Sequence, residues 1–368
     1  MSKPKILAVV GARPNMVKMA PVLAALRASG ECELRLLHTG QHYDKALSGD
    51  LIERLGMPEP DANLEVGSGS HAEQTAAVLV GVEAELGEHR PEMLLVSGDV
   101  NSTMAAALSA AKERVPVAHL ESGLRSGDWE MPEEINRVVC DRVSNLLLCT
   151  SADAVENLAA EGMSGDHVEL VGNTMIDSLM KIMSEVDVSE ACARAEVERG
   201  DFVLVTLHRP SLVDDADGLS KTMAALGELA AELPVIFPAH PRTAARLEAA
   251  SLDTAGEAVR IGGPLDYPDF IALEAGARMV ITDSGGVQEE TSALGTPCLT
   301  YRTTTERPVT IELGTNRLVG VDPGDLLDAS RETLEAPQPE RAPEIPLWDG
   351  EAGPRAADAI LARLGEAS

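Results

Sequence analysis

Short apolar runs alternate with segments of helical periodicity along most of the chain. Runs such as KILAVVG (residues 5–11) and EMLLVSGD (residues 92–99) are separated by Ala-rich stretches whose apolar residues recur at helical spacing. A second series begins near residue 201 with DFVLVTLHRP. Strands that alternate with helices form a parallel sheet covered by helices on both faces. The pattern therefore predicts an α/β protein with two consecutive Rossmann-like, doubly wound domains.

The length of the chain also favours two domains, because 368 residues are too many for one compact core. We place the first domain at residues 1–175 and the second at residues 176–352, since residues 176–200 are polar and helix-prone, as a connector would be. A Pro-rich segment at residues 335–354 interrupts the second series, and an Ala/Leu-rich helix at about residues 353–368 closes the chain. We expect this helix to pack back on the first domain.

The composition limits the classes of partner. Asp and Glu number 60 against 30 Lys and Arg, a formal net charge of −30. Such a surface repels nucleic acids and anionic membranes, so we expect neither as a partner. Two interpretations of the charge stay open. The protein is either an ordinary acidic cytoplasmic protein or one adapted to high salt, where mobile ions screen the self-repulsion.

The five cysteines are widely spaced and form no CxxC pair, which argues against a disulfide framework and against a zinc site. The apolar run within the N-terminal MSKPKILAVVGARP is too short for a signal peptide. No run of about 20 apolar residues is present to span a membrane. We therefore expect a cytoplasmic protein with no bound metal.

The stretch VITDSGGVQEET (residues 280–291) places a small, donor-rich turn between a strand and a helix. Ser284, Gly285 and Gly286 offer a hydroxyl, backbone N–H groups and the positive end of a helix dipole, which suit a pyrophosphate. Glu290, one turn into the helix, is placed to accept hydrogen bonds from a ribose diol. The pattern indicates a nucleoside diphosphate site. The alternative is that Ser284 only caps the helix and that the glutamates complement its dipole.

Basic residues follow other predicted strands. In open α/β sheets ligands bind beyond the carboxyl ends of the strands, and with two such domains the cleft between them is the natural site. Arg13 ends the first strand, and Lys18 lies about a turn into the next helix. His208 follows the first strand of the second series. The cations would complement a diphosphate, and the histidine could donate to a phosphate or leaving-group oxygen. The alternatives are a solvated pair at a helix start and a structural histidine.

Carboxylates follow strands of the first series. Asp99 ends LLVSGD, Glu121 ends VPVAHLE, and MPEEINR contributes Glu133. Carboxylates gathered beside a bound anion bind it poorly but carry protons well, because crowding and burial raise their pKa values toward neutrality. Taken singly, each could instead be a helix cap or part of an acidic first turn.

Together these stretches resemble the motif series of the non-hydrolysing UDP-N-acetylglucosamine 2-epimerases, in that family's order and over nearly the whole chain. The motifs are GARPNMVKMAPV, HTGQHYD, GSGSHAEQT, SGDVNST, AHLESGLRSGDWEMPEEINR, VGNTMID, TLHRPS, PAHPRT, TDSGGVQEETSALGTPCLTYRTTTERPV and GTNRLVG. The resemblance implies two Rossmann-like domains in a glycosyltransferase-B arrangement. It also implies interconversion of UDP-GlcNAc and UDP-ManNAc without a redox cofactor or metal, and a homodimer.

The resemblance assigns roles residue by residue. Asp99, Glu121 and Glu133 match the proton-transfer carboxylates, and His208 matches the phosphate-side histidine. The substrate-binding positions that it implies are Arg13, Lys18, Leu265, Phe270, Ser284, Gly285, Gly286, Glu290 and Arg307, with Leu265 and Phe270 where the family holds the uracil. A possible allosteric pocket for a second UDP-GlcNAc is matched by Gln41, His42, Arg209 and His240, although Asp44 stands where the pattern has Gln.

The implied reaction eliminates UDP from C1 as the C2 proton is removed, and re-adds it through a glycal with protonation on the opposite face of C2. Three alternatives remain: a 2-epimerase for another UDP-acetamido sugar such as a diacetamido-uronic acid, a glycosyltransferase of the same fold, and a non-enzymatic sugar-nucleotide binder. The TERP at residues 305–308 argues against the first, and MPEEINR would be unexplained in the second.

Overall fold

The computed structural model describes residues 3–40, 54–250 and 259–366. The chain forms two compact units. One runs to Lys181 and is completed by the segment that begins at Pro346, and the other comprises Ile182–Ile345. The chain thus passes from the first unit to the second after residue 181, where the sequence predicted residue 175. It returns to the first unit at residue 346, where the sequence predicted residue 353. The connector begins later because Ser178, which the sequence placed in it, donates a hydrogen bond of 2.6 Å to the Val17 carbonyl of the first unit.

The first unit is built on a parallel sheet. Its strands in the described residues are β1 Lys5–Val10, β2 Glu33–His38, β3 Ala62–Asn63, β4 Met93–Ser97, β5 Val117–Ser122, β6 Leu146–Cys149 and β7 Val168–Leu170. Their order is β3-β2-β1-β4-β5-β6-β7, and the pairings are parallel. All five residues of β4 are buried, as expected for a strand whose sheet is covered on both faces.

Helices connect these strands. Those of the first unit are α1 Arg13–Ser29, α2 His71–His89, α3 Asn101–Lys112, α4 Pro132–Val143, α5 Ala152–Ala160 and α6 Thr174–Met183, the last of which runs into the second unit. Local signals fix several ends. Ser70 and Glu73 form a capping box at the start of α2, and Gly30 ends α1 in the left-handed conformation.

The second unit repeats the architecture. Its strands are β8 Val203–Thr206, β9 Val235–Pro238, β10 Val259–Gly262, β11 Met279–Thr282, β12 Cys298–Thr300 and β13 Asn316–Leu318. Its helices are α7 Val188–Arg194, α8 Pro210–Val213, α9 Ala216–Leu229, α10 Pro241–Ala249, α11 Tyr267–Gly276, α12 Gly285–Leu294, α13 Val309–Glu312 and α14 Pro323–Glu335. The parallel sheet has the order β10-β9-β8-β11-β12-β13. The predicted α/β class with two doubly wound sheets is confirmed.

A last helix, α15 Ala352–Glu366, packs against α1. Gly353 lies so close to Pro21 that an added Cβ would come within 2.6 Å of the Pro21 side chain. Asp177 accepts hydrogen bonds from the backbone N–H groups of Ala352 (3.2 Å) and Gly353 (2.7 Å) and so anchors the start of the helix. The C-terminal helix is therefore part of the first unit.

Each sheet reverses its strand order at one place, between β1 and β4 in the first unit and between β8 and β11 in the second. Ligands of open α/β sheets bind beyond the carboxyl ends of the strands at such a point. In the first unit α1 and Asp99 follow the two strands, and in the second His208 and Asp283 do. Lys18, Asp99, His208 and the Ser284 turn thus follow the strands that this rule selects. Among the described residues, no helix combines the length and the hydropathy that a membrane crossing requires.

The formal net charge of −30 leads to a first prediction. We expect Tm to rise as KCl is increased from about 0.1 M to about 1 M, because the Debye length falls from about 10 Å to about 3 Å and the surface carboxylates then repel one another less. Thermal unfolding followed by circular dichroism checks this. A Tm that stays level across the range would support an ordinary acidic protein and contradict adaptation to salt.

Candidate active site

Lys18 and Glu121 form a buried ion pair at the carboxyl edge of the first sheet. Lys18 lies in the second turn of α1 and Glu121 near the end of β5, and Lys18 Nζ donates to Glu121 Oε2. The two side chains are only 9% and 5% exposed. Glu121 has a φ of 68°, where the β5–β6 register is irregular. Positive φ at a residue other than glycine is uncommon, and such strain concentrates at functional sites.

Asp99 belongs to a second ion pair on the same edge. Arg137 Nη2 of α4 lies 2.5 Å from Asp99 Oδ2, and Arg137 Nη1 donates to Glu134 Oε2. Asn136 Nδ2 donates to the Asp99 carbonyl over 2.8 Å. Helix α4, which carries MPEEINR, therefore holds both the side chain and the backbone of Asp99.

Gly98 brings the two pairs together. It has a φ of +68°, and a Cβ there would lie 3.2 Å from Glu121 Oε2 and 3.5 Å from Lys18 Nζ. The backbone that precedes Asp99 thus runs directly against the Lys18–Glu121 pair. Three of the predicted residues, from three different segments, lie within one compact cluster.

The two glutamates of MPEEINR lie in different environments. Glu133 is exposed in the first turn of α4, whereas Glu134 is buried. Burial raises the pKa of the Glu134 carboxyl, but hydrogen bonds from the Ser126 and Gly127 N–H groups and the charge of Arg137 outweigh it, so the pKa lies below its usual value. Glu134 is therefore a fixed anion that holds Arg137.

The other predicted residues of the first unit are placed less fully. Arg13 is the first residue of α1. Gln41 and His42 lie outside the described residues.

In the second unit, Ser284 is the N-cap of α12, and its side chain makes no capping hydrogen bond within the described chain. Ser284, Gly285 and Gly286 are partly exposed. A Cβ on Gly285 would meet Glu306 Oε1 at 2.5 Å and Arg307 Nη1 at 2.7 Å, so the turn lies directly against these two side chains. The hydroxyl of Ser284 thus does not have the capping role considered as an alternative from the sequence.

The adjacent glutamates of α12 have different partners. Glu289 is buried, and its Oε2 lies 3.0 Å from Arg307 Nε. Arg307 also pairs with Glu306, with Nη1 2.6 Å from Oε1. Glu290 Oε1 accepts a 2.7 Å hydrogen bond from the Tyr267 hydroxyl of α11. The first glutamate therefore neutralises an arginine that lies against the glycine turn, whereas the second is oriented by a tyrosine.

His208 is held beside the same turn by Asp283. His208 Nδ1 lies 2.9 Å from Asp283 Oδ1, and the backbone N–H groups of His208 and Arg209 both donate to Asp283 Oδ2, over 2.9 and 2.8 Å. Arg209 Nε donates to the Asp283 carbonyl at 2.8 Å, and the exposed His240 has its ring centroid 6.3 Å from that of His208. His208, Arg209 and His240 are thus brought together.

The carboxyl of Asp283 is almost fully buried. Burial raises its pKa, but the hydrogen bond and charge of His208 and the two backbone donors outweigh it, so the pKa is lowered. Asp283 is therefore an anion that fixes the orientation of the His208 ring. The sequence alone assigned no role to Asp283, since its role depends on a contact across the sheet.

Leu265, just before α11, and Phe270, within it, are half-buried and pack against the core cluster that contains Phe202 and Leu204. They form a partly open apolar surface in the second unit. Within the part of the chain that the structure describes, no group of three or more His, Cys, Asp and Glu side chains is arranged to hold a metal ion.

Sequence reasoning missed two further groups. One is a buried pair in the first unit, His119 of β5 and Asp141 of α4, and the other is the buried carboxyl Glu274 of α11. The histidine occupies an inward position in an apolar strand, and both carboxylates stand at inward positions of helices. A charged residue at such a position is a sequence signal, but its partner is known only from the fold.

Comparison with known proteins agrees with this geometry. A family model described as UDP-N-acetylglucosamine 2-epimerase matches residues 24–361. The UDP-N-acetylglucosamine 2-epimerase of Methanococcus maripaludis is 36% identical over 357 residues, which cover 95% of this chain and 96% of the relative. The UDP-2,3-diacetamido-2,3-dideoxy-D-glucuronate 2-epimerase of Pseudomonas aeruginosa is 37% identical over 333 residues, 90% of this chain and 92% of that protein.

A solved structure is also similar. The crystal structure of Methanocaldococcus jannaschii UDP-GlcNAc 2-epimerase in complex with UDP-GlcNAc and UDP matches with a TM-score of 0.89 and 36% identity, over 97% of this chain and 99% of that one. The family expected from the motifs is confirmed: the chain belongs to the UDP-N-acetylglucosamine 2-epimerase family.

Proposed function

We propose that the protein is an isomerase that reversibly converts UDP-GlcNAc to UDP-ManNAc by inverting C2 of the sugar. The observation that carries this proposal is the cluster of Lys18, Glu121 and Asp99 at the switch point of one sheet, in a chain whose other sheet has a glycine turn suited to pyrophosphate at its own switch point. Inversion at C2 requires two groups that transfer protons and a site that binds the diphosphate.

The C2–H bond is only weakly acidic, because C2 is not next to a carbonyl. One carboxylate takes the C2 proton as the C1–O bond breaks, and the electron pair of that bond leaves with UDP. The product of this step is a glycal with a C1=C2 double bond. In the return step a UDP oxygen re-forms the bond to C1 while a carboxylic acid protonates the opposite face of C2. The route needs two proton carriers and a stabilised leaving group.

The scheme assigns roles to residues of each unit. Asp99, Glu121 and Glu133 transfer protons, and Arg13 and Lys18 offset the charge near the diphosphate and sugar. In the second unit, the turn of Ser284, Gly285 and Gly286 binds the pyrophosphate, assisted by Arg307 and by His208, which Asp283 orients. Glu290 accepts the ribose hydroxyls, and Leu265 and Phe270 contact the uracil.

Incubation with UDP-GlcNAc alone in D2O tests the proposal. We expect UDP-ManNAc to form without added NAD or metal, with deuterium incorporated at C2 of the sugar. Epimerisation without deuterium incorporation would exclude proton removal at C2. A requirement for an acceptor would instead indicate a glycosyltransferase.

A second candidate substrate is a UDP-diacetamido-uronic acid, because the Pseudomonas aeruginosa relative that acts on such a sugar is about as similar to this chain as the relatives named for UDP-GlcNAc. The sequence TERP at residues 305–308 favours UDP-GlcNAc. The ratio of kcat/KM values for the two sugars, measured side by side, decides between them.

Removal of the Glu290 carboxylate gives a second prediction. We expect Glu290→Ala to raise KM for UDP-GlcNAc by about 10- to 150-fold with a smaller effect on kcat, because a charged hydrogen bond contributes about 1.5–3 kcal/mol. Tyr267→Phe is the matched control, since it removes only the hydroxyl that orients Glu290, and it should raise KM less. A loss confined to kcat in Glu290→Ala would contradict the role in ribose binding.

We further propose that the protein acts in the cytoplasm as a homodimer and that UDP-GlcNAc also binds as an activator. The motif resemblance supports both, and the proximity of His240 and Arg209 to His208 supports an activator contact with these side chains. The motif resemblance also assigns Gln41 and His42 to the activator site. Light scattering tests the dimer, and a sigmoidal rate curve with UDP-GlcNAc tests the activation.

A further inference from the structure

We propose that His119 and Asp141 form a positioning pair that sets the relative placement of Glu121 and Asp99, two of the three carboxylates proposed to transfer protons at C2. This inference rests on the proposed function. Neither residue belongs to the proposed substrate-binding set, and both side chains are completely buried.

His119 connects two strand ends. Its Nδ1 lies 2.6 Å from Asp141 Oδ1, and its Nε2 lies 2.9 Å from the Gly98 carbonyl. A carbonyl only accepts hydrogen bonds, so Nε2 is protonated, and the short contact with a carboxylate places a proton on Nδ1 as well. The ring is therefore an imidazolium that donates on one side to Asp141 and on the other to the peptide that precedes Asp99.

The electrostatic environment agrees with this protonation state. Burial lowers the pKa of His119, but interactions with Cys140 and Asp141 outweigh it and the pKa is raised. Burial raises the pKa of Asp141, but its contacts with His119 and Arg125 outweigh it and the pKa is lowered. Both partners are thus charged in the folded protein.

Asp141 holds the chain on both sides of Glu121. Its Oδ1 accepts from His119, two residues before Glu121, and its Oδ2 accepts from the Gly123 N–H, two residues after it, over 3.1 Å. Between these two anchors Glu121 adopts its φ of 68°. The carboxylate of Asp141 therefore stabilises the irregular backbone that directs Glu121 toward Lys18.

A purely structural role would not need charges here. Well-packed apolar residues in place of a buried ion pair are often as stable or more stable, because desolvation offsets the attraction. The ion pair instead holds two segments at once. Asp141 holds the backbone on both sides of Glu121, and the imidazolium of His119 holds the Gly98 carbonyl. Proton removal on one face of C2 and delivery on the other demand such placement, since a shift of about 1 Å can cost about 100-fold in rate.

The test is Asp141→Asn, measured with UDP-GlcNAc and compared with Glu161→Gln. Arg125 donates to Asp141 and also to Glu161, with its Nε 2.7 Å from Oε1 and its Nη2 2.8 Å from Oε2 of Glu161. Glu161→Gln therefore changes a neighbour of Asp141 and leaves the positioning pair intact. For Asp141→Asn we expect kcat to fall by about 100-fold and KM to stay within about twofold. We also expect a larger share of turnovers to end in free UDP and the glycal, because re-protonation is misaligned. Glu161→Gln should retain wild-type kcat.

His119→Gln is the second variant, because it keeps a side-chain N–H that can reach the Gly98 carbonyl and removes the charge. It should show the same pattern as Asp141→Asn with a smaller fall in kcat. Unchanged kcat in folded Asp141→Asn, or loss of folding in both variants, would overturn the proposal and leave the pair a role in stability alone. Wild-type protein that exchanges no C2 proton would refute the proposed function itself, which the same assay detects separately.

Discussion

Replacement of Glu121 by glutamine is expected to lower kcat by about 10²–10⁴-fold and to change KM for UDP-GlcNAc little. Glutamine keeps the shape of the side chain and an oxygen that can still accept from Lys18 Nζ, so the buried pair of side chains should remain packed. What is lost is a group that can gain and release a proton. The effect should therefore fall on the chemical step and not on binding.

Two measurements separate this outcome from a general loss of structure. Titration with UDP should give wild-type affinity, because the residues proposed to bind the pyrophosphate and ribose belong to the other unit. Exchange of the C2 hydrogen with D2O should slow in parallel with kcat. A variant that binds UDP weakly and turns over at the wild-type rate would show that the roles of the two units have been exchanged.

Substitution of each glutamate of MPEEINR in turn distinguishes their roles. Glu134 is a buried anion that fixes Arg137, whereas Glu133 is exposed and is assigned to proton transfer by its motif. Comparison of Glu133→Gln with Glu134→Gln therefore shows whether the motif or the buried contact determines which residue the reaction needs.

The alternation of strands and helices and most of the positions at strand ends followed from the sequence, because they depend on local periodicity. Apolar runs that end in Gly-Asp or Asp-Ser-Gly-Gly have the same meaning in any parallel sheet, so Asp99 and the turn at Ser284 could be placed before the fold was known. The same reasoning located Lys18, one turn after the first strand. Periodicity therefore predicted the edge of each sheet at which Asp99, Lys18 and the Ser284 turn lie.

Contacts across the sheet could not be predicted in this way. Asp283 orients His208 from 75 positions away, and Asp141 holds His119 from a helix that follows the next loop. Arg307 was expected only to contact substrate, yet it is buried between Glu289 and Glu306 as well as lying against Gly285. The partner of a buried charge depends on how helices are set on the sheet, which no local pattern specifies.

The buried carboxyl of Glu274 leads to the second large expected effect. Its side chain is fully buried in α11, and none of the described residues donates a hydrogen bond to either oxygen. Burial raises the pKa of this carboxyl well above its usual value, and the negative charge of Glu290 raises it further. An unpartnered buried carboxylate would be very costly, so the group stays protonated in the folded protein.

Glu274→Gln should therefore make the second unit less sensitive to pH. In the wild type the carboxyl holds a proton when folded and releases it when unfolded above its ordinary pKa of about 4.5, so folding takes up a proton. The free energy of unfolding then falls as pH rises, by about 1.4 kcal/mol per pH unit, until the raised folded-state pKa is reached. Glutamine has no proton to release, so this contribution disappears and the variant gains stability over the wild type as pH increases.

Unfolding experiments at about pH 6, 7 and 8 measure the difference. Both tryptophans, Trp129 and Trp348, belong to the first unit, so hydrogen exchange of the β11 and β12 amides is the suitable probe of the second. The stability of the variant relative to the wild type should rise with pH across this range, because the raised pKa of Glu274 makes only the wild type take up a proton on folding. Glu335→Gln, which changes an exposed carboxylate at the end of α14, should leave the pH dependence as it is. Parallel slopes for wild type and Glu274→Gln would mean that Glu274 is ionised in the folded protein. Glu290 would then have a second negative charge beside it, an arrangement that would weaken its hold on a ligand that already carries a diphosphate.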